Sequence, residues 1–355
     1  MTLCDKFKSI TKEKWQYYDG INLLGYEDAI ARPLEFIETY FEHGNKNEFL
    51  FKSLFYDEQE DYSKQEERAI HTVNTFFLGI YLKERIDFLK PHKNSFLGQG
   101  DIKDNFLWAW FLCSLYHDAF FDKKEDITVN CHYNHFSKGL LYNPDLIQRY
   151  YGKCKTKETA YKNEPKFDHG IVAAEKLFCN YSNMVKTASN NPNFDFKNFQ
   201  MSFEFCGLKI NNSTFHAMCK IAKIIACHNI FVADKKEESK YEKIPELIPG
   251  NKKFFRMPNI KNHNTMNSYE KLYFLLALVD TLEPTKRGIN LKDIDIDVQD
   301  NYDGSYILKI DLFNELGDYE KYQNGIMGFK DRLNFIEKSE DGKEITINFN
   351  HNKNC

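Results

Sequence analysis

A histidine and an aspartate, His117 and Asp118, stand side by side at the end of a long apolar run. Between Phe106 and Tyr116 the only clearly polar side chain is that of Ser114, so both residues are expected to be buried. A buried carboxylate must be paired, hydrogen-bonded or bound to a metal, because an isolated buried charge is costly. Imidazole and carboxylate groups are common ligands of transition metals, and a metal site is therefore the leading interpretation of the pair.

Other histidines and one more acidic residue could join this pair if their helices face the same core. His71 lies at the margin of an apolar helical stripe, and His169 falls in the first turn of a predicted helix. His228 continues the apolar stripe of Ile221 and Ile225, so it is expected to point inward. In chain order, the candidate metal ligands are His71, His117, Asp118, His169, His228 and Asp280.

Separate helices must position these side chains. One is predicted to begin at the capping-box pair Ser63 and Glu66 and to end before Pro91. Asp280 lies on the apolar side of another helix, which Pro284 ends. The predicted helices that carry the remaining candidates and Asp280 are Phe106–Phe121, a segment beginning at Phe167, Ser213–Val232 and Ser268–Glu283.

The ligand order H…HD…H…H…D, with each ligand-bearing segment on its own helix, resembles the HD superfamily of metal-dependent phosphohydrolases. The resemblance covers roughly Ser63–Gly288 and implies a mainly α-helical fold with an HD-domain core. It assigns one metal to a four-residue set and the second metal of the dinuclear branch to two extra histidines, with Asp118 as the bridging ligand. The four-residue set is His71, His117, Asp118 and Asp280, and the extra histidines are His169 and His228.

The same resemblance implies a reaction. It predicts hydrolysis of a phosphate ester or anhydride at a centre that includes His117 and Asp118, with a nucleotide or a related small phosphorylated molecule as the substrate. The implied cofactor is one or two divalent transition metals, namely Mn, Fe, Co, Ni or Zn, with Mg as a further option. Such ions would activate a hydroxide and stabilise charge on the phosphoryl oxygens, so no protein nucleophile is required.

Basic residues near the candidate ligands could bind phosphate. Lys286 and Arg287 follow the helix of Asp280, and further basic residues flank Phe254 and Phe255 in a polar segment. A solvated charge run is the alternative interpretation of both groups. Since phenylalanine rings can stack on bases, a short single-stranded nucleic acid is an alternative partner. The candidate substrate-binding residues are Lys252, Lys253, Arg256, Lys286 and Arg287.

Ligand identity alone leaves other functions open. Diiron oxygenases of the superfamily share the six-ligand order, so oxygen chemistry is one alternative to hydrolysis. A nucleotide-binding sensor or effector subunit that binds without turnover is a second alternative, and a single-strand nuclease is a third. The long polar segments Asp122–Lys166 and Ala233–Asn267 follow ligand-bearing helices and are expected to set specificity.

Length and composition predict a globular protein of 355 residues, 42% of them hydrophobic and 15% aromatic. The net charge of -4 gives no general attraction to duplex nucleic acid, and no apolar run reaches the length of a membrane span. The nine cysteines form no C-x-x-C pair and suit a reducing compartment. We therefore expect a cytoplasmic protein without a membrane partner, whose oligomeric state is left open.

The chain divides by sequence texture into three predicted parts. Residues 1–62 are predicted to form an N-terminal helical cover, and residues 63–288 the HD-type metal-binding core. After Gly288 the pattern changes to alternation, which predicts a small α+β appendage over residues 289–355. In the outer parts, the predicted helices are Thr11–Tyr18, Tyr26–His43, Glu48–Tyr56 and Asp318–Ile336, and the predicted strands are Ile294–Val298, Tyr306–Ile310 and Glu344–Asn348.

Overall fold

The computed structural model describes residues 1–16, 25–42, 62–90, 105–118, 268–301, 305–313, 319–327, 335–338 and 344–349, with short pieces between 170 and 228. These residues are mainly helical and include a small antiparallel sheet. Some predicted features lie outside the described ranges. They are the candidate ligand His169, the basic residues Lys252, Lys253 and Arg256, the helix Glu48–Tyr56, and the segments Asp122–Lys166 and Ala233–Asn267.

Short helices form the described N-terminal residues. A capping box starts the first of them, because the Thr2 hydroxyl accepts from the Asp5 amide and the Asp5 carboxylate accepts from the Thr2 amide. The predicted single helix Tyr26–His43 is divided at Arg32. Pro33 causes this division, since it has no amide hydrogen to donate and excludes the preceding residue from helical geometry. The helices are α1 Leu3–Lys8, α2 Lys12–Trp15, α3 Tyr26–Ala31 and α4 Pro33–Glu42.

Three longer helices, α5 Tyr62–Arg85, α6 Asn105–Tyr116 and α7 Ser268–Leu282, position the described candidate ligands. The first of them begins within one residue of the predicted start, and the last ends just before the predicted proline stop. The prediction for α6 was too long, because His117 and Asp118 lie in a turn after the helix. A bilayer-spanning helix is not found among the described residues.

Gly79 allows α5 and α6 to approach each other closely. A Cβ atom at this position would lie 2.0 Å from Cζ2 of Trp110, well inside van der Waals contact. The indole N–H of Trp110 also donates to the carbonyl of Phe76 on α5, at 2.9 Å. This contact holds the helix that carries His71 against the helix that leads to His117.

The C-terminal residues form an antiparallel sheet of four strands. Within the predicted helix Asp318–Ile336, residues Tyr319–Met327 are helical, but the last two, Phe335 and Ile336, begin a strand paired with Glu344–Phe349. A strand of this kind depends on a partner elsewhere in the chain, which local periodicity does not reveal. The elements are the hairpin β1 Glu204–Phe205 and β2 Leu208–Lys209, followed by β3 Ile294–Asp300, β4 Tyr306–Leu312, α8 Tyr319–Met327, β5 Phe335–Lys338 and β6 Glu344–Phe349, with the larger sheet in the order β3-β4-β6-β5.

Helix α1 connects the N-terminal residues to this sheet. The Lys6 ammonium donates to the carbonyl of Ile296 at 2.9 Å and lies 2.8 Å from the Asp295 carboxylate. The Cys4 amide donates to the carbonyl of Leu291 at 3.1 Å. Buried hydrophobic residues from α1, the three longer helices and the sheet belong to a single cluster, so these elements share one core.

Candidate metal centre

Two histidines and two aspartates from α5, α7 and the turn after α6 meet in the core. All four side chains are buried, and the sequence-based prediction that His117 and Asp118 are buried is therefore confirmed. Each offers one ligand atom, and these atoms all lie within 4.8 Å of one another. The cluster consists of His71, His117, Asp118 and Asp280, and we call it the four-ligand cluster.

The spacing of the ligand atoms suits one metal ion. Nε2 of His71 lies 3.2 Å from Oδ2 of Asp118 and 3.7 Å from Oδ1 of Asp280. Nε2 of His117 lies 3.7 Å and 3.6 Å from the same two oxygens. Ligands that bind one ion at about 2.1 Å are separated by about 3 to 3.4 Å in octahedral or tetrahedral geometry. A small contraction around an ion would therefore complete the site.

The ring orientation of His117 also suits metal binding. Its Nδ1 lies 2.8 Å from the carbonyl oxygen of Ser114, which can only accept a hydrogen bond. Ser114 is in the last turn of α6, where carbonyl groups lack partners within the helix. Nδ1 therefore carries the proton, and the Nε2 lone pair faces the cluster, which is the arrangement that outer-shell partners give to metal-binding histidines.

Glu283 fixes the ring of His71, as the Ser114 carbonyl fixes that of His117. The sequence pattern does not identify Glu283 as part of the site. Its side chain is fully buried, and Oε2 accepts from Nδ1 of His71 at 2.8 Å. Burial raises the pKa of Glu283, but hydrogen bonds from His71 and Thr285 outweigh burial and lower it. The signal in the sequence was an acidic residue one helical turn after Asp280 and directly before Pro284. From the sequence alone, that position indicates only the end of a helix.

The cluster holds a proton and an ammonium group where a metal ion would bind. Burial alone lowers the pKa of His71, but the carboxylates of Asp118, Asp280 and Glu283 outweigh burial and raise it well above its usual value. These carboxylates therefore favour the doubly protonated form of His71 in the metal-free protein. A proton on its Nε2 would lie between Nε2 of His117, at 3.1 Å, and Oδ2 of Asp118, at 3.2 Å. Metal binding must replace this proton.

Lys286 supplies the second positive charge. The 3₁₀ turn Thr285–Arg287 directs its ammonium to Oδ1 of Asp280 at 2.7 Å and to Oδ2 of Asp118 at 3.0 Å. These are the oxygens that face the histidines, so the ammonium stands in for the charge of a divalent ion. Burial raises the pKa of Asp280, but Lys286 and the two histidines hold it well below its usual value.

The structure does not bring the neighbouring candidate, Arg287, into contact with the cluster. Its guanidinium donates to the carbonyl of Thr281 at 3.2 Å and lies 5.8 Å above the ring centroid of Tyr322 on α8. The adjacent residues of the turn therefore have different surroundings. Lys286 faces the four-ligand cluster, and Arg287 packs on Tyr322 of α8.

His228 lies beside the cluster on the far oxygen of Asp118. Its side chain is fully buried, as the helical stripe predicted, and its Nδ1 donates to the carbonyl of Ile225 at 2.6 Å. Nε2 of His228 lies 3.8 Å from Oδ1 of Asp118. Gly170 packs closely here, since a Cβ atom on it would lie 2.9 Å from Nδ1 of His228. His169 precedes Gly170 but lies outside the described residues.

A scan against protein-family models and searches of curated proteins and of solved structures found no match to this chain. The site is therefore interpreted from its own donor set, two imidazole nitrogens and two carboxylate oxygens. Such mixed nitrogen and oxygen ligands suit Mn, Fe, Co, Ni and Zn, and favour Mg less. The residues present fit a divalent cation, and their chemistry alone does not select among the transition metals.

Proposed function

We propose that this protein is a metal-dependent phosphohydrolase or phosphodiesterase that acts on a nucleotide or a related phosphate ester. The observation that carries the proposal is the buried four-ligand cluster, whose ligand atoms lie within 4.8 Å of one another. The ligand order in the sequence, which resembles that of HD-superfamily phosphohydrolases, supports the same assignment and an HD-type helical core. The expected substrate is small and phosphorylated, with short single-stranded nucleic acid as the alternative.

The chemistry of the site is compatible with a phosphorylated substrate once a metal ion is bound. A divalent ion supplies Lewis acidity for a phosphoryl group and for an attacking water molecule. The carboxylates of Asp118, Asp280 and Glu283 carry a charge of about -3, which one divalent ion and the Lys286 ammonium balance. The buried acidic groups are then neutralised, so they no longer repel a phosphate. The Lys286 ammonium is the described group best placed to bind a phosphate oxygen.

The surroundings of Asp118 support a second metal ion. Oδ2 of Asp118 faces His71 at 3.2 Å, whereas Oδ1 faces His228 at 3.8 Å. A carboxylate with its oxygens directed to different histidines can bridge two ions. The ligand order of the sequence adds His169, which lies outside the described residues. We propose His169 and His228 as the additional ligands.

Metal content and phosphate release test this proposal together. We expect about one or two ions per chain after purification without chelators, and phosphate release from a nucleotide panel with Mn²⁺, Fe²⁺, Co²⁺ or Ni²⁺. Asp118→Asn keeps the side-chain shape but removes the charge, and should reduce metal affinity and phosphate release by about 100-fold. Asp295→Asn is the matched control, because it removes a carboxylate on β3 that pairs with Lys6 of α1. This variant should keep the metal affinity and the phosphate release of the wild type.

Each other result would select a different function. Bound iron with oxygen consumption and without phosphate release would assign a diiron oxygenase. Tight nucleotide binding without turnover would assign a sensor or effector subunit, and cleavage of single-stranded oligonucleotides alone would assign a nuclease. Failure to bind any divalent ion, with the same result for both Asp118→Asn and the wild type, would overturn the metal centre.

A further inference from the structure

A chain of hydrogen bonds runs from the four-ligand cluster to the N-terminal helix α3. Beyond His71, the Glu283 carboxylate accepts at Oε1 from the Thr285 hydroxyl, at 2.6 Å. The Thr285 oxygen accepts from Nδ2 of Asn74 at 3.2 Å, and Oδ1 of Asn74 accepts from the Tyr26 hydroxyl at 2.9 Å. We call Tyr26, Asn74, Thr285 and Glu283 the relay.

The chemistry of these groups gives the relay a single direction. An ionised carboxylate only accepts, so the hydroxyl proton of Thr285 must point to Glu283. That hydroxyl oxygen then accepts from the amide nitrogen of Asn74, which leaves the amide oxygen of Asn74 to face Tyr26. Every proton along the relay therefore points toward Glu283. The Nδ1 proton of His71 points to the same carboxylate from the other side.

Both ends of the relay are held firmly. The Tyr26 ring makes edge contacts with Phe7 and Phe77, each with ring centroids 5.1 Å apart. Asn74 lies one helical turn after His71 on α5 and is buried, so its amide shares a face with that ring. At the other end, the Glu283 carboxylate also accepts from the backbone amides of Thr285 and Lys286, each at 3.0 Å. The orientation of the carboxylate therefore depends on the Thr285 hydroxyl together with these two amides.

We propose that the relay residues Tyr26, Asn74 and Thr285 are positioning residues that set metal affinity by fixing the Glu283 carboxylate and, through it, the ring of His71. The proposal rests on the proposed metal centre, and extends the site to a helix outside the predicted core of residues 63–288. Because the relay aligns Nδ1 of His71 with Glu283, it leaves Nε2 directed at the ion. Loss of the Thr285 hydroxyl leaves Oε1 of Glu283 with one hydrogen bond, from the Thr285 amide, so the carboxylate and the His71 ring are held less firmly.

Metal affinity, not activity, provides the test. We would measure Mn²⁺ dissociation constants by paramagnetic resonance, and the visible spectrum of the Co²⁺ form, for full-length wild type and four variants. Thr285→Val should weaken Mn²⁺ binding by about tenfold or more and alter the Co²⁺ bands, whereas Thr285→Ser keeps the hydroxyl and should restore both. Tyr26→Phe should weaken Mn²⁺ binding by a smaller factor and shift the Co²⁺ bands in the same direction.

Tyr322→Phe is the matched control. Like Tyr26, Tyr322 is a buried tyrosine with one hydroxyl hydrogen bond, to the carbonyl of Leu282 at 2.8 Å, but it lies outside the relay. Its removal should leave Mn²⁺ affinity and the Co²⁺ spectrum unchanged. If Thr285→Val does not fold, the pair Tyr26→Phe and Tyr322→Phe decides the question.

The relay would be refuted if Tyr26→Phe matched Tyr322→Phe in both measurements, or if Thr285→Ser were as weak as Thr285→Val. A wild type that binds metal but releases no phosphate would refute the proposed function and leave this test intact. A wild type that binds no divalent ion would refute the relay together with the metal centre.

Discussion

Lys286 and a divalent ion would compete for the same oxygens. The ammonium lies 2.7 Å from Oδ1 of Asp280 and 3.0 Å from Oδ2 of Asp118, the atoms that complete the four-ligand cluster with the histidines. In the metal-free protein the ammonium stabilises two buried carboxylates that would otherwise repel each other. A metal ion at this cluster would therefore have to displace the ammonium.

Replacing Lys286 by Met should therefore have opposite effects on metal and substrate. We expect Lys286→Met to bind Mn²⁺ about tenfold more tightly, because it removes a competing cation. A tenfold change in the dissociation constant corresponds to about 1.4 kcal/mol of binding free energy. The same variant should raise KM for a phosphorylated substrate, since it removes a cation beside the cluster. Isothermal titration and steady-state kinetics would measure the two effects.

Lys309→Met is a suitable control for this substitution. Lys309 is also ion-paired, with the Glu344 carboxylate at 2.9 Å, but lies on the sheet away from the cluster. It should change neither metal affinity nor KM. Equal or weaker Mn²⁺ binding by Lys286→Met would show that the ammonium does not compete with the ion.

For individual residues, the sequence predicted which side chains are buried, but not which residues they contact. The apolar surroundings of His117 and Asp118, and the helical stripes of His228 and Asp280, were sufficient to predict burial. The role of Glu283 depends on a contact with a residue 212 positions earlier in the chain. Side-chain periodicity describes which face of a helix is buried, and carries no information about which distant residue meets it.

At the scale of helices and strands, the contact between α5 and α6 depends on Gly79, which has no side chain. Gly79→Ala would place a methyl group 2.0 Å from the Trp110 ring, and should lower the free energy of unfolding by about 1–3 kcal/mol or more through overpacking. Because α5 carries His71 and α6 leads to His117, metal affinity should also fall. Chemical denaturation and Mn²⁺ titration would measure these effects.

Gly25→Ala offers the matched control for Gly79→Ala. A Cβ atom on Gly25 would have no heavy atom within 4 Å, and its φ of -82° is accessible to alanine. The expected loss in unfolding free energy is below about 1 kcal/mol, from a poorer helix N-cap. Similar losses for the two variants would contradict the packing role of Gly79.

Helices with strong periodicity and clear stops were predicted well, and elements that depend on one residue or on a distant strand were not. Pro284 ends α7 as expected, whereas the apolar periodicity of Tyr26–His43 predicts one helix that Pro33 in fact divides. The strand Phe335–Lys338 could not be predicted from its own four residues, because its backbone conformation is stabilised by pairing with Glu344–Phe349.

At the scale of the whole molecule, α1 joins the helices to the sheet through one hydrophobic cluster. Phe7 is fully buried in this cluster and packs on Tyr26 and Phe77. Phe7→Ala should lower the free energy of unfolding by about 3–5 kcal/mol. Because α1 also contacts the sheet, hydrogen exchange should accelerate in α5 and in β3 by the same factor.

Phe313→Ala removes the same side chain from an exposed position, where 49% of the surface of Phe313 is accessible. The loss of unfolding free energy should lie within about 0.5 kcal/mol. If Phe7→Ala accelerated exchange in α1 alone, the helices and the sheet would unfold independently, and the single cluster would not act as one cooperative core.

The long sequence separation within the metal centre has a consequence for biosynthesis. Glu283 follows its hydrogen-bond partner His71 by 212 residues. At a synthesis rate of about 5–20 residues per second, His71 is made about 10–40 seconds before Glu283. The nascent chain spends this interval with an incomplete site, and a metal ion would be bound in the final geometry only after translation has passed this helix end.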